Sequence, residues 1–159
     1  MQDVCWIAHT GLAIVMRPRG DDWLEEDLAR IRAAGIETIV STLEDGEARM
    51  LGLAQERKLA ESLGIHFISY PMRDRSTPTD RKHFTAFVTS LAARLEAGEK
   101  VGVHCRGCIG RSTIVTACTL ITMGWTAADA LRAIELAREF PVPDTAEQFA
   151  WIMAFGAPQ

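Results

Sequence analysis

Lys100-Val101-Gly102-Val103-His104-Cys105-Arg106-Gly107-Cys108-Ile109-Gly110-Arg111-Ser112 is the stretch whose reading decides the fold. A short apolar run, Lys100 to Val103, leads into it, and a long apolar segment, Ser112 to Trp125, follows. The part between reads as a loop carried from a strand into the N-terminus of a helix. Such an N-terminus presents unpaired N–H groups and the positive end of the macrodipole, and two loop glycines let the backbone close around a tetrahedral anion. A cysteine opening this loop is expected to be a thiolate at neutral pH, with a pKa of about 3.5–7.5 as in comparable electropositive sites. Arg111, at the far end, can grip two oxygens of one anion.

His-Cys, five residues, Arg and then Ser resembles the phosphate-binding signature of the cysteine-dependent protein tyrosine phosphatase superfamily. The resemblance implies Cys105 as nucleophile, Arg111 as phosphate clamp and Ser112 as the donor that stabilises the leaving thiolate. It also implies His104 as a group tuning the thiolate. The backbone N–H groups of Arg106, Gly107, Cys108, Ile109, Gly110 and Arg111 would form the oxyanion cradle. One position departs from the pattern: the family usually has Ala-Gly where this chain has Gly107-Cys108. A β-carbon stands where glycine is usual, so the backbone angle at Cys108 is open. Two readings of Cys108 follow. It either replaces glycine without further role, or forms a reversible disulfide with an oxidised Cys105.

Ahead of this loop, strands alternate with helical periodicity. Asp3 to Ile7 and Leu12 to Met16 read as strands joined at His9 to Gly11. Trp23, Leu24, Leu28 and Ile31 recur at helical spacing behind a cap at Asp21 or Asp22, and Gly35 closes that helix. Ile36 to Ser41 is a strand. Glu44 to Leu63 is one helix or two, interrupted near Gly52. Ile65 to Tyr70 is a strand. Thr77 as N-cap with Pro78 at the first helical position opens a helix to Ala97, Asp80 completing a capping box. After the loop come helices Ser112–Met123, Thr126 to about Arg138, and Asp144 or Thr145 to Phe155. This pattern predicts an α/β fold: a central, mostly parallel sheet with helices on both faces, protein tyrosine phosphatase-like by the resemblance, in a single domain over 1–159.

Ligands of such sheets sit beyond the carboxyl ends of the strands, which brings the loop after Tyr70 to the loop after Val103. Displacing an alkoxide or phenoxide from phosphorus needs a proton donor, worth about 10²–10⁴-fold in rate. Asp74 supplies one. Small dual-specificity members place their general acid at this distance before the cysteine, and Pro71-x-x-Asp74-Arg75-x-x-Pro78 is similar to a bacterial subset with one residue fewer. Against this stand a turn aspartate paired with Arg73 or Arg75, and Asp80 as the acid instead. Arg73, Arg75 and Arg106 are expected to ring the cleft, whereas Arg17 and Arg19 read as solvated. Gln148 reads as a helix-surface residue, or as the glutamine that orients water in some relatives. Cys5, Cys118 and the four tryptophans read as core or its rim, and His9, His66 and His83 carry no assigned chemistry.

Composition narrows the function. A formal net charge of −4 over 159 residues, with no basic run, argues against a nucleic-acid partner. The longest apolar segment is too short for a membrane span. Four cysteines without framework spacing suggest a reducing, cytoplasmic setting, and no signal peptide is legible. No cofactor or metal is called for, a monomer is expected, and the partner is a phosphorylated protein or peptide. The leading function is hydrolysis of phosphotyrosine, with phosphoserine and phosphothreonine as further substrates. A non-protein phosphomonoester (inositol phosphate, lipid headgroup or nucleotide) and a non-hydrolytic dithiol or phosphate-binding protein are the alternatives.

Overall fold

A computed structural model describes residues 3–158. The strands are β1 (Val4–Trp6), β2 (Leu12–Val15), β3 (Thr38–Ser41), β4 (His66–Ser69) and β5 (Val101–His104). The helices are α1 (Leu24–Ala33), α2 (Asp45–Met50), α3 (Glu56–Ser62), α4 (Arg81–Glu96), α5 (Arg111–Thr122), α6 (Ala127–Arg138) and α7 (Ala146–Phe155). The sheet order is β1-β2-β5-β3-β4. Among the described residues only the β1–β2 hairpin is antiparallel; β2–β5, β5–β3 and β3–β4 are parallel.

Strand character follows from side chains that fit a sheet covered on both faces. Every residue of β2, β3 and β5 is buried, whereas β4, at one edge, is half-exposed. Gly102 in β5 has a packing reason: a Cβ there would lie 2.3 Å from Cγ2 of Val15 and 3.2 Å from Cδ1 of Ile36. On one face Leu24, Leu28, Ile31 and Ala60 of α1 and α3 pack against Ala13, Val15 and Ile39. On the other, Phe84, Val88 and Leu91 of α4 and Ile134 of α6 surround α5 and cover Ile14, Val40 and Val103. Helix α5 is buried from Arg111 to Leu120, so the apolar run after the loop is the central helix of that layer.

The parallel register sets the ends of three strands side by side. Ser41 is paired with both His104 and Ser69. Backbone bonds continue beyond them: Thr42 N–H donates to His104 O (3.1 Å), and Met72 N–H donates to Thr42 O (2.9 Å). The segments after β3, β4 and β5 therefore leave the sheet together.

Several local expectations change. The α4 cap is Asp80, whose Oδ1 accepts from His83 N–H at 3.0 Å; Thr77 and Pro78 lie before the helix, in the non-helical segment. A carboxylate acceptor at N-cap satisfies the first-turn amides and complements the dipole better than the threonine three residues earlier. Asp21 and Asp22 do not cap α1; they form a 3-10 turn to Trp23 that runs into it. The segment after β3 is two helices, broken around Gly52, whose φ of +76° favours glycine. Trp23 is 54% exposed, lying under the Arg19 guanidinium. Arg19 stays half-exposed, as read, and its guanidinium also pairs with Asp27.

Candidate active site

The turn from β5 into α5 gathers its polar groups around one sulfur. Cys105 Sγ accepts from Cys108 N–H at 3.0 Å and lies 3.3 Å from Ser112 Oγ. Cys105 is only 2% exposed. Its pKa is nevertheless held well below that of an ordinary thiol. Hydrogen bonding with Cys108 does most of this, outweighing burial, and the Ser112 hydroxyl and N–H and the Arg111 charge add to it.

Cys108 has φ +61°, the left-handed region that glycine usually fills, so the conformation survives the departure from Ala-Gly. Its thiol is wholly buried and donates to Val15 O at 3.2 Å, beneath the loop. The neighbouring Cys105 sulfur and burial both push the Cys108 thiol up, so the two cysteines are driven apart in acidity. All four cysteines are unpaired.

Arg111 is held from several sides. Nη1 and Nη2 donate to Glu47 Oε1 and Oε2, both at 2.8 Å, in a bidentate pair, and Nη1 also donates to Met72 O at 2.9 Å. Asp74 Oδ1 lies 3.2 Å from Nη2. Nε is buried and has no partner among the described residues. An orphaned guanidinium N–H this deep costs stability unless something accepts from it. Glu47 is set by α2, where its Oε1 also accepts from Glu44 N–H at 3.3 Å; the pair with Arg111 holds its pKa down despite partial burial.

Behind the loop His104 is completely buried. Nε2 meets Glu56 Oε2 at 2.7 Å, and Nδ1 lies 3.3 Å from Cys105 O. Burial opposes its protonation, but Glu56 outweighs burial and the His104 pKa is raised. An imidazolium in this position donates from both nitrogens and puts a positive charge under the thiolate.

The loop after β4 closes the opposite wall. Asp74 sits in the turn from Arg73 to Ser76, and its carboxylate pairs with Arg111 and, among the described residues, not with Arg73 or Arg75; the Asp80 side chain caps α4. Arg75 instead bridges to Asp144 at 3.0 Å. The cleft, about 300 Å³, is lined by Asp74, Arg75, Asp144 and the loop residues from Cys105 to Arg111 other than Cys108. Arg106 and Arg75 ring it as expected. Arg73 does not: it faces a separate hollow on the far side of the Asp74 loop, with Tyr70, Asp80 and His83.

Gln148 is not on the surface. It is fully buried, its Oε1 accepts from Thr145 N–H in a capping box, and its Nε2 donates to Ser76 O at 3.1 Å. Its amide abuts the loop, for a Cβ at Gly110 would fall 2.9 Å from Nε2. The legible signal was Thr145-x-x-Gln148, since a glutamine at the third helical position of a capping box folds back over the N-terminus. Glu47, Glu56, Asp144 and Arg138 were missed altogether. For Glu56 the sign was an acid sharing the buried face of Leu53 and Ala60. Among the described residues no group of three or more His, Cys, Asp or Glu side chains is arranged to hold a metal, and no helix is long and apolar enough to cross a membrane.

Sheet order, strand-loop-helix turn and sulfur-centred anion cradle together define the cysteine-dependent phosphatase class of α/β proteins. Within it, the chain belongs to the PTP-SAK family, whose model, described as the Swiss Army Knife protein DSP-PTPase phosphatase domain, matches residues 1–155. It is 34% identical over 98 residues to "Putative tyrosine phosphatase 067L" of Invertebrate iridescent virus 3, a match covering 60% of this chain and 38% of the viral protein. The chain thus spans less than half the length of the curated relatives it matches. Its fold is similar to that of kinase associated phosphatase (KAP) with a catalytic-site cysteine replaced by serine (TM-score 0.85, 20% identity, 96% of this chain and 92% of the other). It is also similar to PTPMT1 in complex with PI(5)P (TM-score 0.76, 18% identity, 98% and 94%).

Proposed function

We propose that this phosphatase hydrolyses phosphotyrosine, and also phosphoserine and phosphothreonine, in proteins through a phosphocysteine intermediate, without a metal. The observation that carries the reading is a buried Cys105 sulfur accepting from Cys108 N–H at the start of α5, beside an Arg111 whose Nε is free to bind an anion. In the first step Cys105 attacks phosphorus in line while Asp74 gives its proton to the departing oxygen. In the second, Asp74 takes a proton from water, which attacks the phosphocysteine. Ser112 stabilises the sulfur as it leaves. Arg111 and the loop amides carry the charge developing on the equatorial oxygens, work done elsewhere by a cation. Dual specificity is favoured by the lining of the cleft: among the described residues Ile109 is its one large apolar side chain and no aromatic ring lines it. The chain's single tyrosine, Tyr70, is stacked between His83 and Phe87 on α4.

Arg75 and Arg106 at the rim favour a second reading, a highly charged non-protein phosphomonoester; the likeness to the PTPMT1 complex makes an inositide the natural probe. Four unpaired thiols support a reducing, cytoplasmic setting, and the low pKa of Cys105 makes it the first thiol to oxidise.

Hydrolysis of a simple aryl phosphate with chelator and reductant present is the test. Turnover is expected in the wild type, lost by about 10³-fold or more in Cys105→Ser and reduced by about 10²-fold or more in Asp74→Asn. Phosphopeptides then compete with an inositol phosphate for relative kcat/KM. Full activity in Cys105→Ser would overturn the scheme, and a preference for the inositol phosphate would replace the protein substrate.

A further inference from the structure

The backbone of Cys108 is pinned from both sides. Its N–H points to the Cys105 sulfur at 3.0 Å, while its carbonyl accepts from Nε of Arg138 at 3.0 Å. Arg138 is the last residue of α6; the chain then turns at Glu139 in the left-handed conformation. It reaches the loop from behind and is no part of the cleft lining, which consists of Asp74, Arg75, Asp144 and the loop residues other than Cys108. Its guanidinium has no carboxylate partner within ion-pair distance among the described residues, so this carbonyl is its marked contact.

The consequence is geometric. A trans peptide is planar, with its C=O and the following N–H on opposite sides. Tying the Cys108 carbonyl backward therefore aims Ile109 N–H forward, to the same side as the sulfur. Cys108 itself sits at φ +61°, which brings successive N–H groups toward one concavity. A non-glycine residue loses roughly 1–2 kcal/mol there; the orientation of the Cys108–Ile109 peptide is set separately, by ψ of Cys108 and φ of Ile109, and needs its own tether. A flip would turn the carbonyl oxygen, a negative end, toward the anion.

We infer that Arg138 is a positioning residue of the phosphate cradle, holding the Cys108–Ile109 peptide in the orientation that presents N–H groups to Cys105 and its ligand. The Cys108 thiol on Val15 O is the second tether of the same residue. Arg138 touches no substrate and acts through the carbonyl alone. This rests on reading the loop as an anion cradle, so one readout must not need turnover.

The experiment compares wild type, Arg138→Met, which keeps the stem without donors, and Arg138→Lys, which keeps the charge but loses the fork. The rate of Cys105 alkylation by iodoacetamide against pH gives the thiolate pKa without any phosphatase assay. Arg111, His104, Ser112, Asp74 and Cys108, the other groups facing this sulfur, are unchanged in all three proteins. In Arg138→Met the thiolate pKa is expected to rise by about one unit, and the affinity for inorganic phosphate, read by protection from alkylation, to fall about tenfold. Arg138→Lys should recover part of both. An alkylation profile and phosphate protection unchanged in folded Arg138→Met would overturn the inference, whatever happens to its melting temperature. If Arg138→Met does not fold, Arg138→Lys decides by the same two readouts. Should the wild type turn over no phosphomonoester, the alkylation shift still tests the strut, and only the functional reading fails.

Discussion

Replacing Glu56 by glutamine tests how the buried ion pair beneath the nucleophile is built. Glu56 and His104 are both excluded from solvent, their side chains 3% and 0% exposed, with 2.7 Å between Oε2 and Nε2. Glutamine keeps the shape and a hydrogen-bonding oxygen but removes the charge. A hydrogen bond to a charged group contributes about 1.5–3 kcal/mol against about 0.5–1.5 for a neutral one, so Glu56→Gln should cost about 1–1.5 kcal/mol. Glu56→Ala, leaving the imidazole unpaired, should cost about 3–5 kcal/mol. The sign with pH is fixed by the raised pKa of His104. A group whose folded pKa exceeds its unfolded value of about 6.5 contributes fully below that value, and the contribution is lost as pH rises through the folded pKa. Cys105, with its depressed pKa, acts in the opposite sense and makes stability rise toward the unfolded thiol value. That term is common to wild type and variant and largely cancels in their difference. Urea unfolding from about pH 6 to about pH 9 should show the wild type's advantage over Glu56→Gln largest at the acid end and shrinking upward. An advantage that is constant, or grows with pH, would refute a charged pair.

The same geometry makes further statements. Glu47→Gln should lower kcat/KM by about tenfold or more while leaving Cys105 alkylation nearly unchanged, because the bidentate pair orients Arg111 and not the sulfur; equal effects on both would show otherwise. Gly110→Ala should destabilise by about 1–3 kcal/mol and weaken phosphate binding, since its Cβ falls 2.9 Å from Gln148 Nε2; wild-type melting and binding would contradict that packing. At neutral pH iodoacetamide should label Cys105 alone among the buried thiols of the loop and α5, because Cys108 and Cys118 are held protonated. Peptide mapping that finds Cys108 labelled first would reverse the assignment of acidity.

The parts of this molecule legible in the sequence are those encoded locally. β-branched runs, helical spacing and the glycines after helices marked the alternating elements, and the Cys105–Ser112 stretch, read with its flanks, placed the cradle. What escaped was long-range. Glu47, Glu56 and Arg138 reach their partners across 64, 48 and 30 positions of chain, and nothing in their own neighbourhoods says which group they will meet. Gln148 shows the boundary between the two cases: its cap was readable, its contact with Ser76 was not. The misplaced cap at Thr77 has a different cause, two adequate start signals three residues apart, decided by the carboxylate of Asp80.

The most direct measurement is acid-quenched mass spectrometry of the Cys105 peptide during turnover of an aryl phosphate. The account predicts one added phosphoryl group on Cys105, accumulating further where Asp74→Asn slows the hydrolytic step and absent from the protein before substrate is added. Turnover with Cys105 unmodified at every quench time, or a phosphoryl group on another residue, would contradict it.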